Sequence, residues 1–321
     1  MSKKQPLIAV VGPTASGKTA VGAALAREYN GEVISADSMQ IYKGLDIATA
    51  KPKEDEMLGV PHHLIGIIDM DRQFSVADYM KLAKEKIAEV ASRGKLPVLV
   101  GGTGLYVSSL IDNISFDNAL TDGSVRERLT RECEQVGNEA MLERLREIDP
   151  ETAQTLPAGN ITRIIRALEV YEVTGIPFSR HKELSRAEES PYDPCMIGLW
   201  YSDRQQLYDR INRRVDIMTE NGMIEECREV FENESLGTVY QAIGYKELIP
   251  YFRGEMEKQE CIDKIKQDSR RYAKRQLTWF RRDERINWID LTNVIAFDKI
   301  IEECKKTVAK SEILCYNRQC V

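Results

Sequence analysis

The chain has 321 residues, 42% of them apolar, and a formal net charge of −6. That length suits one large α/β domain or two of ordinary size, with apolar residues enough for a sizeable core. No stretch approaches the ~20 apolar residues of a membrane span, and the first residues have no secretory-leader architecture, so a cytoplasmic protein without a membrane partner is expected. The cysteines at 133, 195, 227, 261, 304, 315 and 320 are scattered, odd in number and without a Cys-x-x-Cys pair, as reduced thiols would be. Cys315 and Cys320 lie close together, but no histidine near them would complete a metal site.

The first predicted element is a strand at Leu7-Ile8-Ala9-Val10-Val11. Directly after it comes Gly12-Pro13-Thr14-Ala15-Ser16-Gly17-Lys18-Thr19, a complete phosphate-binding loop between a buried strand and a helix start. Its backbone N–H groups would curl around phosphate oxygens, and the next helix would aim its positive end at them. Lys18 supplies a point charge, and the Thr19 hydroxyl a ligand for Mg²⁺. The chain therefore handles a phosphate or pyrophosphate; the loop alone leaves the reaction open.

Further apolar runs at residues 33–37, 62–68 and 96–101 predict buried parallel strands. Helical patterns lie between them, from Lys18 to Tyr29 and from Val76 to Arg93, the second capped by Ser75 and closed by Gly94. This alternation predicts a doubly wound sheet with ligands at the carboxyl ends of its strands. Asp37 and Gly101-Gly102-Thr103-Gly104 sit at such ends, on the face of the phosphate loop.

After about Ile114 the pattern turns helical and charged, over Val125–Gln135, Asn138–Ile148 and Ile161–Val173. Strand character returns at Cys195–Trp200. Helices are then expected at about 203–221, 223–234, 240–250 and 258–282, with an edge strand at Trp288–Leu291 and a closing helix over 296–310. The expected fold is α/β: a P-loop parallel-sheet core made of 1–114 and 195–321, with an all-helical subdomain, 115–194, inserted into it.

Between Ile262 and Ile286 nine Lys/Arg stand against four Asp/Glu, with Tyr272, Trp279 and Phe280 interleaved. Such a run is commonly a solvated helix face, but aromatic residues among the charges also suit nucleic acid. Burial tendencies place Trp279 and Phe280 in the core. Arg163 and Arg166 share one helix face and could meet phosphates together or pair with Glu169 and Glu172. His62 and His63 have no metal-ligand partners at useful spacing, so a structural role is expected.

Several segments, in order and spacing, carry a resemblance. They are the phosphate loop, Ala36-Asp37-Ser38-Met39-Gln40-Ile41-Tyr42, Thr49-Ala50-Lys51-Pro52, Val60-Pro61-His62-His63-Leu64 and Gly101-Gly102-Thr103-Gly104-Leu105-Tyr106. Beyond them come Arg163-Ile164-Ile165-Arg166-Ala167-Leu168-Glu169-Val170, Gln241-Ala242-Ile243-Gly244-Tyr245-Lys246-Glu247 and Arg271-Tyr272-Ala273-Lys274-Arg275-Gln276-Leu277-Thr278-Trp279-Phe280-Arg281. From about residue 7 to 290 the chain resembles the bacterial tRNA dimethylallyltransferases, which prenylate N6 of adenosine 37 beside the anticodon. Ala48 stands where that family usually has glycine, and the tail beyond about 292 matches nothing in it.

The resemblance implies transfer of a dimethylallyl group from dimethylallyl diphosphate to adenosine 37 of tRNA, releasing pyrophosphate. It implies Asp37 as general base, assisted by Thr103 and Lys18, and Mg²⁺ as the only cofactor, held with the help of Thr19. The diphosphate would be bound by Gly12 to Thr19 and by Arg214, chosen because the family has an arginine directly before Val215-Asp216. The anticodon arm of tRNA would be met by Asp37, Ser38, Met39, Gln40, Thr103, Arg126, Thr162, Arg163, Ile164, Ile165 and Arg166. From the carboxyl half, Ala242, Ile243, Gly244, Tyr245, Lys246, Glu247, Arg271, Lys274 and Arg275 would join them. A monomer is expected.

Three other functions fit part of the sequence. A small-molecule kinase uses the same loop on ATP but leaves the basic aromatic helix without a role. A prenyltransferase acting on free adenine nucleotide needs no extended basic surface. A nucleotide-dependent RNA-binding switch would make Asp37 dispensable.

Overall fold

The computed structural model of the chain describes residues 4–116, 122–186, 188–232, 239–294 and 296–311; Cys315 and Cys320 lie outside these. Among the described residues six strands form one sheet: β1 (Gln5–Val11), β2 (Gly31–Ser35), β3 (His62–His63), β4 (Leu96–Gly101), β5 (Tyr192–Trp200) and β6 (Ile286–Asp290). Their order is β3-β2-β4-β1-β5-β6 and every pairing is parallel, with Ile8 opposite Val98 on one side and Cys195 on the other.

Parallel strands need crossovers, and helices supply them. They are α1 (Lys18–Glu28), α2 (Val76–Ser92), α3 (Gly104–Ile111), α4 (Gly123–Val136), α5 (Asn138–Ile148), α6 (Pro150–Gln154), α7 (Ile161–Thr174), α8 (Phe178–Leu184), α9 (Arg204–Glu220), α10 (Met223–Phe231), α11 (Tyr245–Phe252), α12 (Lys258–Phe280) and α13 (Phe297–Ala309). Ser75 begins α2 in a reciprocal cap, its hydroxyl accepting from Asp78 N (3.2 Å) while Asp78 accepts from Ser75 N (2.9 Å).

Because side chains alternate along a strand, the sheet buries two cores. Leu7, Ala9 and Val11 face one side with Tyr79 and Ile87 of α2, Leu110 of α3 and Phe280 of α12. Ile8 and Val10 face the other with Val21 and Leu25 of α1, Ile211 of α9 and Val308 of α13. Connections leave the adjacent strands β1 and β4 on opposite faces, α1 on one and α3 on the other. A crevice therefore opens beyond their carboxyl ends.

The chain forms two compact units, one of residues 1–111 and 191–321, the other Asp112–Ser190. The second holds α4 to α8 around its own core of Leu129, Leu145, Ile164 and Leu168. No helix among the described residues is long and apolar enough to cross a membrane.

Several elements differ from expectation. The strand predicted over 62–68 is only His62–His63, because Leu64 and Gly66 turn the backbone to positive φ (63° and 59°). β5 begins at Tyr192, three residues before the expected Cys195, since Tyr192–Pro194 pair with Gln5–Leu7. The helix expected from 240 starts at Tyr245, because Gly244 at φ 107° separates it from a 3₁₀ turn, Val239–Gln241. The helices α3, α6 and α8 were not expected: none is long enough to display a clear periodicity.

Candidate functional site

The loop Gly12–Thr19 connects β1 to α1. Gly17, in the left-handed region at φ 85°, caps α1 with no side chain. Pro13 has no N–H, the Thr14 N–H donates to Gln276 Oε1 (2.8 Å), and the Ser16 N–H is turned to Pro13 O (3.3 Å). Of the loop, Thr14, Ala15, Gly17, Lys18 and Thr19 line a cleft of about 1460 Å³. Ser16 Oγ is buried without a hydrogen-bond partner.

Lys18 lies in that cleft, its ammonium donating to Pro13 O (3.2 Å). Burial, and then the charge of Arg214, push it down to about 8, while Asp37 pulls the other way. Arg214, on α9, is lowered by burial as well, and Asp37 and Glu56 oppose that. One turn earlier Arg210 Nε donates to Ala15 O (3.0 Å) and ties α9 to the loop. Arg213, next to Arg214, also lines the cleft but is more exposed, and it is Arg214 whose charge bears on Lys18.

Asp37 follows β2, which ends at Ser35. Its Oδ1 accepts from Met39 N (2.9 Å) and Gln40 N (3.3 Å), a local turn that fixes the carboxylate at the cleft wall. Thr103 Oγ1 accepts the Ser38 N–H (3.0 Å), and the Thr103 N–H donates to Ala36 O (3.2 Å), so the loops after β2 and β4 are joined beside the carboxylate. Gln40 turns inward: its amide donates to Thr49 O and Ala50 O, both 3.1 Å, and holds the next loop.

Residues that sequence reasoning passed over hold this arrangement together. Glu226 on α10 accepts the N–H groups of Asp46 (2.8 Å), Ile47 (2.7 Å) and Ala48 (2.9 Å), together with the Tyr245 hydroxyl (2.8 Å). Lys51, with a side chain 9% exposed, pairs with Asp46 (2.6 Å). Gln276 is 4% exposed and also donates to Gly102 O (2.9 Å). Burial at Ala273, Gln276 and Phe280 follows helical spacing, so strict periodicity along α12 would have turned Gln276 inward. No sequence signal marks Glu226, whose backbone partners lie about 180 positions away.

α12 also carries the expected basic residues, Arg275 at the edge of the cleft. Arg271, Lys274 and Arg275 are exposed; Arg271 pairs with Asp268 (3.0 Å), and Arg275 lies over the Tyr272 ring (5.6 Å). Trp279 donates to Ser108 Oγ (2.9 Å), and Phe280 is 1% exposed, so both belong to the interior. A Cβ on Gly104 would stand 2.4 Å from the Trp279 ring, which only glycine tolerates.

Of the expected segment 242–247, Lys246 is exposed and Ile243 lines the cleft. Gly244, Tyr245 and Glu247 are buried, and Ala242, buried as well, borders the cleft. Glu247 accepts from Gly244 N (2.8 Å), and burial raises its carboxyl. Within the helical unit, Arg126 (2.8 Å) and Arg166 (3.0 Å) converge on Glu169, which is fully buried. Thr162 and Arg163 are exposed, whereas Ile164 and Ile165 belong to that unit's core.

His62 and His63 serve the sheet edge. His62 Nδ1 meets Val60 O (2.8 Å), and His63 Nε2 meets the buried Glu32 (2.6 Å), which also pairs with Arg93 (2.6 Å) and Lys95 (2.8 Å). Among the described residues no three His, Cys, Asp or Glu side chains could hold a metal ion, and Cys133, Cys195, Cys227, Cys261 and Cys304 are free.

A family model described as IPP transferase matches residues 40–283. The chain is 46% identical over 308 residues to the tRNA dimethylallyltransferase of Thermoanaerobacter sp. (strain X514), covering 95% of this chain and 96% of that one. Among solved structures it is similar to the full-length tRNA isopentenylpyrophosphate transferase of Bacillus halodurans, with 45% identity, TM-score 0.73 and coverage of 98% and 99%. A eukaryotic dimethylallyltransferase acting on tRNA is 27% identical with TM-score 0.80, over 96% of this chain and 80% of the other.

Proposed function

This chain belongs to the IPP transferase family and is a tRNA dimethylallyltransferase, and on that premise we propose that it prenylates N6 of adenosine 37 with Asp37 as the general base. The observation that carries this reading is the meeting of the phosphate loop, Lys18, Arg214 and Asp37 on the walls of one cleft.

The bond between the allylic carbon and the diphosphate oxygen breaks, and its electron pair leaves with pyrophosphate. Charge building on that oxygen is stabilised by the loop amides, Lys18 and Arg214, donors already in place before reaction. The N6 lone pair of adenine closes the new carbon–nitrogen bond. That lone pair is delocalised into the ring, so a carboxylate accepting the N6 proton matters, and Asp37 is the acidic side chain held beside Thr103 for the purpose. Adenosine 37 must leave its stack first, at a cost of a few kcal/mol. The exposed cations of α12 offset that cost through the RNA backbone.

Mg²⁺ fits this donor set. Thr19 lines the cleft with a hydroxyl, and Mg²⁺ is commonly bound by one or two protein oxygens plus substrate phosphates and water. When bound it supplies further neutralisation of the diphosphate. Incubation with labelled dimethylallyl diphosphate and either unmodified tRNA or AMP tests the reading. Label is expected in tRNA alone, at adenosine 37; label in AMP, or phosphoryl transfer from ATP to a small acceptor, overturns it.

A further inference from the structure

α12 has two faces with different business. Arg271 and Lys274 point to solvent, while Tyr272, Arg275 and Gln276 line the cleft from the same two turns, Arg275 at its exposed edge. The buried Gln276 amide spans the crevice between β1 and β4, accepting the Thr14 N–H on the phosphate loop (2.8 Å) and donating to Gly102 O after β4 (2.9 Å). A Cβ on Gly102 would stand 2.2 Å from Gln276 Nε2, so the fit tolerates no side chain there. Tyr272, one turn earlier, lies toward Thr103, whose hydroxyl accepts from Ser38 beside Asp37.

We propose that Gln276 is a positioning residue that couples the two substrates, transmitting a displacement of α12 by bound RNA to the loop that grips the diphosphate donor. This rests on the reading above that the outer face of α12 meets tRNA. The coupling needs no contact between Gln276 and either substrate. A helix that shifts on binding RNA carries the Gln276 carboxamide with it, and the Thr14 peptide must follow or lose its partner in a buried site, where an unmet N–H is costly. Donor affinity then differs between RNA-free and RNA-bound protein, and linkage makes the effect reciprocal. Glutamate at 276 tests the hydrogen-bond pattern specifically. As a carboxylate it cannot donate to Gly102 O and it repels the diphosphate; as a carboxylic acid it recovers both bonds of the amide.

The experiment measures the dissociation constant of an unreactive donor analogue, dimethylallyl S-thiolodiphosphate, on the full chain with and without an unmodified anticodon stem-loop. In the wild type the RNA is expected to change donor affinity about fivefold or more. In Gln276→Ala, and in Gln276→Glu at pH 8, the change should fall below about twofold, with RNA affinity in the absence of donor within about twofold of wild type. Lowering the pH toward 5 should restore coupling in Gln276→Glu relative to wild type at the same pH, which decides the matter if the alanine variant fails to fold. Undiminished coupling in the folded variants, or none in the wild type, overturns the proposal. Failure of the wild type to bind the stem-loop at all overturns the underlying reading too, and is recognised separately.

Discussion

Lys18 and Arg214 are two cations held in one cleft, and burial, followed by the charge of Arg214, brings the Lys18 ammonium to about 8, with Asp37 opposing. Two positive charges confined together are poorly stabilised until an anion joins them. On the proposed reading the arrangement receives the diphosphate, and binding should be sensitive to pH.

The diphosphate binds the protonated form and raises the Lys18 pKa in the complex, so binding takes up a proton wherever free Lys18 is partly neutral. Donor affinity should therefore hold below pH 8 and fall by up to about tenfold per unit above it, until the pKa of the complex is reached. Calorimetry in buffers of different ionisation enthalpy should find about half a proton taken up near pH 8. Flat affinity from pH 7 to 10, with no proton uptake, would contradict the lowered ammonium.

Asp37→Asn keeps an oxygen for the Met39 and Gln40 N–H groups, so the loop should retain its shape. Turnover should nevertheless drop about 10²-fold or more, since the amide cannot take the N6 proton. Filter binding should give tRNA affinity close to wild type. Near-normal turnover would remove Asp37 from proton transfer.

Arg271→Gln and Arg275→Gln each remove one exposed cation from α12, the first away from the cleft and the second at its edge. Each should weaken tRNA binding and reduce the slope of log affinity against log salt by about 1, while leaving donor affinity in the absence of RNA unaltered. Unchanged salt slopes in both variants would mean that α12 meets something other than phosphate.

Glu32 makes a stability prediction independent of the cleft. Burial would raise its carboxyl, but Lys95, His63 and Arg93 outweigh that and bring it to about 2. A carboxyl lowered on folding stabilises the protein above its unfolded pKa, and that contribution is lost as pH falls through the folded one. Stability from urea unfolding should decline between about pH 4.5 and 2, and Glu32→Gln should flatten the decline over that window. An identical profile in the variant would show the ion cluster to be inert.

Much of the core fold was legible because its signals are local. Ser75 caps the helix it precedes and Gly17 ends the phosphate loop within eight consecutive residues, so neighbours in sequence sufficed. The failures have local causes too. Leu64 adopts a positive φ that no rule for leucine predicts, which cut a seven-residue strand to two. In the segment around Tyr245 the motif could be read but not its orientation. Burial of Tyr245 and Glu247 depends on α10 packing against them, and nothing in their own sequence carries that.

By itself the sequence pointed to a loop for a phosphate or pyrophosphate, to a parallel sheet crossed by helices, and to the carboxylate that follows its second strand. Backbone curvature and side-chain alternation are properties of contiguous residues, so they need no fold to be read. The tertiary structure alone decided that Gln276 closes on Thr14, 262 positions away, and that Glu226 holds the loop at Asp46–Ala48. Those partners meet only because β4 and β5 flank β1 and bring remote segments to its carboxyl end, a placement set by packing of the whole sheet.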